Sequence, residues 1–201
     1  MLRRLRRLKT HYNSRMQRCR WCSDDPIYQA YHDTEWGVPS HDARHLFEKL
    51  LLEGFQAGLS WITVLKKRPH YRDVMFNFDA QALATMSDDY IETLMQDAGI
   101  IRNRLKLNAA RSNARAWLEL SDPVDYLWSF VGGKPVIHHY AAHQDIPVIS
   151  PEAQTMSRAL KKAGFTFVGP TICHSYLQAV GGFMDHTTDC FRHAALSTTQ
   201  R

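Results

Sequence analysis

No stretch of this sequence approaches the roughly 18 consecutive apolar residues of a membrane-spanning helix, and nothing at its start reads as a secretory signal. Those two absences place the working compartment in the cytoplasm. Internal repeats, low-complexity tracts and heptads are missing too, so solenoid and coiled-coil architectures are excluded. Strand signals are sparse: Phe165–Val168, followed by Gly169 and Pro170, is the best and is short. Acidic residues are absent from positions 1–15, where Arg3, Arg4, Arg6, Arg7, Lys9 and Arg15 stand. Setting those six cations aside turns a net charge of +5 into −1 for the rest, so the overall basicity says little about partners. The arm could touch phosphates or anionic lipid. Its plainer reading is a disordered leader, or a start assigned too early with Met16 as the real beginning. Two zinc-enzyme signatures are also lacking, His-Glu-x-x-His and His-x-Glu paired with Pro-Cys-x-x-Cys, which leaves zinc-dependent hydrolysis or deamination a poor reading.

What is present fits a globular protein of 201 residues with 44% apolar content, one domain or a domain with a lobe. Four cysteines stand beside eleven histidines. In a reducing compartment they are thiols or metal ligands rather than disulfides. Helical periodicity dominates, so the fold class is all-α. Asp42 caps a helix to about Ala57 with Leu46, Phe47, Leu50, Leu51 and Gly54 on one stripe. Ser60 opens the next, which carries Trp61, Val64 and Leu65 and is expected to end at Arg68-Pro69. Ser87 caps a third helix, with Gly99 as its stop. A fourth runs through Leu105, Ala109, Ala110, Ala114 and Trp117, and shorter ones cover 153–163 and 171–180.

Four constellations carry chemistry. The turn 97–104 feeds a helix N-terminus, whose free amides and positive dipole end suit a phosphate. Arg102, Arg104, Lys106, Arg111 and Arg115 add cations there, although a solvated basic face of a plain helix pair would look the same. Glu53 borders the apolar stripe, so it is paired, protonated or useful. With Gln56 and Trp61 it could meet a flat, cationic, hydrogen-bonding ring; otherwise it is an edge residue reaching solvent. Trp21, Tyr28, Tyr31 and Trp36 form an aromatic cluster that could stack on bases or fill core, and core is favoured for Trp36. Finally, Cys19 and His32 near one end and His186 and Cys190 near the other would make a closed tetrahedral zinc shell that staples the chain ends. Cys22 is a rival ligand, and Cys173, His174 and His193 are decoys.

Together these segments resemble the DNA-3-methyladenine glycosylase I family of the helix–hairpin–helix superfamily. The stretches that match are Arg18–Trp21, Asp25–Tyr28, Tyr31–Pro39, Leu52–Leu65, Gln96–Arg102, Phe165–Cys173, and Asp185-His186 with Cys190, in order from about Met16 to Cys190. The resemblance implies a helix–hairpin–helix glycosylase fold, with residues 41–164 as the helical domain. Residues 16–40 plus 165–195 would form a lobe held by one structural zinc per chain on Cys19, His32, His186 and Cys190. It implies release of 3-methyladenine from alkylated double-stranded DNA by a monomer found with the nucleoid when on DNA. Glu53, Tyr31 and Trp61 would do the chemistry, Trp21, Tyr28 and Gln56 would hold the base, and Gly58 and Leu59 would press on the lesion, Leu59 filling the gap. Gly99, Ile101, Arg102 and Arg104 would meet the DNA backbone. The catalytic Asp of many superfamily members is not expected at Asp122 or Asp125. With no lysine placed as a Schiff-base nucleophile, base removal without strand cleavage is expected. A non-catalytic DNA-binding module with a structural zinc is the alternative; it would release no base.

Overall fold

The computed structural model describes residues 17–198, so the basic leader and Met16 lie outside the described residues. Ten α-helices are described: α1 (Pro26–Thr34), α2 (Ala43–Gln56), α3 (Trp61–Val74), α4 (Ala80–Ala84), α5 (Asp88–Gln96), α6 (Arg104–Leu118), α7 (Pro123–Ser129), α8 (Pro151–Lys162), α9 (Pro170–Ala179) and α10 (Phe191–Thr198). One parallel pair, β1 (Val136–Ile137) with β2 (Phe183–Met184), is the whole sheet content among the described residues. The fold is all-α, as expected.

Side chains start several of these helices. Asp42 accepts from the His45 amide, Ser87 from Tyr90 and Asn103 from Lys106, each satisfying a first-turn donor that has no intrahelical partner. Helix α2 is the central element, packed by α3, α6, α7 and α9. Every residue of it from Leu46 to Phe55 is buried, Glu48, Lys49 and Glu53 included. A helix sunk that deeply must pair its charges inside the protein.

The fold departs from the sequence reading in several places. Helix α3 continues through Pro69 to Val74. On either side of Pro69, Arg68 is bonded to Glu48 at 2.8 Å and Glu35 at 2.6 Å, and Tyr71 stacks on Phe55 at 4.8 Å. That packing outweighs the missing N–H. Phe165–Val168 is not a strand: the Thr166 amide and carbonyl are taken by the Asn113 side chain, and Phe167 has a φ of 54°. Leu105 is 72% exposed, and Leu107 takes the core position instead. Gly99 does not end α5, which stops at Gln96. It is small because a Cβ there would run into the His70 imidazole, which is bonded to Asp97 at 2.6 Å.

The first and last parts of the described chain meet. The Phe191 amide donates to the Gln17 carbonyl (2.9 Å), Gly37 to Gln178 (3.0 Å) and Ser40 to Val180 (3.1 Å).

Candidate functional site

A cleft of about 320 Å³ opens where α1, α2, the start of α3 and α9 converge. Tyr28 and Tyr31 come from α1, Glu53 and Gln56 from the last turns of α2, Trp61 from the first residue of α3, and Trp21 from the segment before α1. The rings form a chain: Trp21 lies 5.1 Å from Tyr28 and 4.9 Å from Trp36, and Tyr31 lies 5.4 Å from Trp61. The indole nitrogens of Trp21 and Trp61 and both ring nitrogens of His174 are buried with no partner among the described residues. Orphaned polar atoms on an aromatic wall mark a place built for a polar, flat ligand.

Glu53 is the charged group of that wall. It is 4% exposed, and no hydrogen bond reaches its carboxylate among the described residues. Burial pushes its pKa up to about 7, against the opposing pull of Lys49. Lys49, one turn earlier on α2, is wholly buried; its Nζ lies 3.1 Å from the Tyr31 hydroxyl and 3.1 Å from Glu35. Burial works against the Glu35 charge, but His45, Lys49 and Arg68 together hold its carboxyl far below the usual range.

The second constellation is a cluster of Cys19, His32, His186 and Cys190, whose ligand atoms all lie within 4.8 Å of one another. Cys19 Sγ is 3.4 Å from His186 Nδ1, and Cys190 Sγ is 3.5 Å from both His32 Nε2 and His186 Nδ1. Zinc–sulfur and zinc–nitrogen bonds of about 2.0–2.3 Å in a tetrahedron require separations of that order. The outward nitrogens are occupied, His32 Nδ1 by Asp33 at 2.8 Å and His186 Nε2 by the Trp36 carbonyl at 3.0 Å, so lone pairs point inward. A hydrogen bond from Cys19 lowers the Cys190 thiol and raises that of Cys19 in turn. Four buried ligands that fill a shell can hold a metal without an open position. Cys22 is not in the cluster; it is half-buried with its thiol on the Ser23 carbonyl. Cys173, His174 and His193 are outside it as well.

In the hairpin between α5 and α6 some of the expected donors have partners within the protein. The Gly99 amide is taken by Asp97 at 2.7 Å and the Ile101 amide by the Tyr71 hydroxyl at 3.0 Å. Arg104 is paired with Glu92, Arg111 with Asp88, Arg115 with the Ala84 carbonyl, and Arg102 is exposed. Lys106 is buried and caps the end of α2 through the Phe55 (2.8 Å) and Ala57 (2.6 Å) carbonyls. Gly58, with φ +80°, and Leu59, 43% exposed, sit on the loop that leaves the cleft wall at Gln56 and rejoins it at Trp61.

Sequence reasoning missed Lys49, although it lies four residues before Glu53 on the same stripe. It also missed His174, Ser175, Gln178 and the 143–148 segment, which come from distant parts of the chain to close the cleft. Trp36 proves to be both core and cleft wall. Asp122 and Asp125 are exposed at the start of α7, outside the wall.

Comparison with known proteins matches residues 21–193 to a family described as methyladenine glycosylase. The chain is 50% identical over 179 residues to DNA-3-methyladenine glycosylase 1 of Escherichia coli, spanning 87% of this chain and 96% of that one. It is 44% identical over 177 residues to DNA-3-methyladenine glycosylase of Haemophilus influenzae, spanning 86% and 96%. Among solved structures, a crystal structure of 3-methyladenine DNA glycosylase I superposes with a TM-score of 0.86 at 52% identity, over 87% of this chain and 98% of that one. A variant of 3-methyladenine DNA glycosylase I in complex with 3-methyladenine superposes at 0.84 with 36% identity, over 88% and 97%.

Proposed function

The chain belongs to the methyladenine glycosylase family, and from that premise we propose how its cleft performs base excision. The protein is a DNA-repair enzyme that hydrolyses the N-glycosidic bond of 3-methyladenine in alkylated DNA and releases the free base. The observation that carries the mechanism is Glu53, a buried carboxylate without a hydrogen-bond partner among the described residues, set in an aromatic wall.

Methylation at N3 gives the base a positive charge, so it is already a good leaving group and needs little acid catalysis. The flipped base enters the cleft, stacks on Trp61 among Trp21, Tyr28 and Tyr31, and meets the Glu53 charge while Gln56 adds a hydrogen bond. Normal adenine is neutral and gains less, which is the source of selectivity. The bond breaks with its electron pair going to the base, which leaves neutral. Water adds to the sugar cation and gives its proton to solvent. No lysine among the described residues offers a nucleophile at the cleft: Lys49 is buried behind Tyr31 and Trp61 and is not in the wall, so the strand stays intact.

Leu59 fills the space left in the duplex, with Gly58 allowing the turn. The backbone meets Arg102, Arg104 and the hairpin around Gly99 and Ile101, with the amides of Arg102 and Arg104, unbonded among the described residues, as donors. Residues 16–40 plus 165–195 form a lobe, and one zinc on Cys19, His32, His186 and Cys190 holds it. That zinc shapes the wall through His32, next to Tyr31, and enters no chemical step. No helix among the described residues is long and apolar enough to cross a membrane; the enzyme works on double-stranded DNA as a cytoplasmic monomer.

The test is chromatography of bases freed from methylated DNA. Glu53→Gln is expected to lower the rate of 3-methyladenine release by about a hundredfold. An undiminished rate would overturn the role given to Glu53.

A further inference from the structure

A fully buried ammonium is expensive to keep in a protein core, and an apolar residue of similar volume is often as stable or more so. Lys49 nevertheless occupies the most enclosed part of α2, directly behind the cleft. Its Nζ lies 4.3 Å from the centre of the Tyr31 ring and 4.7 Å from that of Trp61, so it underlies two rings of the wall without reaching the cleft.

Two consequences follow from its bonds. Burial lowers the Lys49 pKa while Glu35 and Glu53 favour its charge; as the ammonium it can only donate, so the Tyr31 oxygen accepts from it at 3.1 Å. The phenolic hydrogen must then be given elsewhere, and it has no acceptor among the described residues. Tyr31 therefore enters the cleft as a donor. Lys49 also stands one helical turn before Glu53 on the same face, where an opposite charge favours the carboxylate over the neutral acid. Glu35, Arg68 and Glu48 hold Lys49 in this place: Glu35 binds Nζ with one oxygen and Arg68 with the other, and Arg68 is anchored on Glu48. The other titratable groups facing Glu53 are Tyr28 and Tyr31 from α1, His174 from α9 and His143 from the segment that closes the cleft.

We propose that Lys49 is a positioning residue for base excision, which from behind the cleft turns the Tyr31 hydroxyl toward the bound base and sustains the negative charge of Glu53. The proposal rests on the reading of Glu53 and Tyr31 as base-contacting groups. It assigns Lys49 no contact with DNA.

The deciding experiment is Lys49→Met, measured as kcat/KM for 3-methyladenine release between pH 5.5 and 9, with thermal melting as the folding control. Glu35 keeps His45 and Arg68 when the ammonium is gone, so the variant is expected to fold. In the wild type the rate rises with pH as Glu53 ionises. In the variant that rise should move about one unit toward alkaline pH, and the smaller ionised fraction of Glu53 should lower kcat/KM at pH 7 about fivefold. Lys49→Gln keeps a donor for Tyr31 without the charge, so it should show the same displacement with a smaller loss at pH 9. It also serves as the test if Lys49→Met does not fold. A folded variant whose pH profile coincides with the wild type overturns the proposal. Running Glu53→Gln in parallel separates the two claims: if that variant is fully active, the reading of the cleft fails; if it is inactive while Lys49→Met is unaltered, only Lys49 is misassigned.

Discussion

Glu53 is a residue kept at the expense of stability. An acid whose pKa is about 4.5 in the unfolded chain and about 7 in the folded one binds a proton more tightly when folded. Folding is therefore unpenalised below pH 4.5, and stability falls as pH rises through 7, by up to about 3 kcal/mol. Glu53→Gln should accordingly raise the urea midpoint at pH 8 even as it slows base release, and the two proteins should converge toward pH 4.5. A Gln variant less stable at pH 8 would mean that the carboxylate has an unrecognised partner. The same ionisation makes kcat/KM climb through about pH 7 in the wild type, because only the charged form attracts a cationic base.

At the scale of the element, two joints position the cleft and the hairpin. Lys106 ties α6 to the end of α2, which fixes where the Gly58-Leu59 loop begins. His70 on α3 holds Asp97 at the end of α5, and Asp97 in turn holds the Gly99 amide. Gly99→Ala places a methyl group into the His70 ring and must break this joint. It should lower stability by about 1–3 kcal/mol in urea titration and weaken binding to undamaged duplex, with Glu53 chemistry on bound lesions less affected. Unchanged stability would show that the hairpin shifts freely.

For the whole molecule, the two chain ends carry the aromatic half of the cleft on one side and α9 on the other, and the Cys19–His32–His186–Cys190 cluster is where they are pinned. Purified protein should contain one zinc per chain. Cys190→Ser should lose it, lower the melting temperature on the order of 10 °C, and lose base release at the same time, since Tyr31 adjoins a ligand. Cys22→Ser should keep both metal content and melting temperature, which elemental analysis and calorimetry would check; loss of metal there would give Cys22 a place in the shell.

Much of this protein is local in origin and was legible in its residues. Caps at Asp42 and Ser87 and the apolar stripe of α2 define helices through contacts three or four positions apart, and the all-α class follows from them. The stretches that resemble the family contain Glu53, Tyr31 and Trp61 and the cysteine–histidine set. Other features depend on residues far apart in the chain. Helix α3 passes Pro69 because Glu48 and Glu35 anchor Arg68, and Thr166 avoids a strand because Asn113 satisfies its backbone. His174 reaches the cleft, and Lys49 the back of its wall, only through packing. Periodicity records which face of a helix is apolar; what that face meets, and which buried charges find one another there, is decided by the tertiary structure alone.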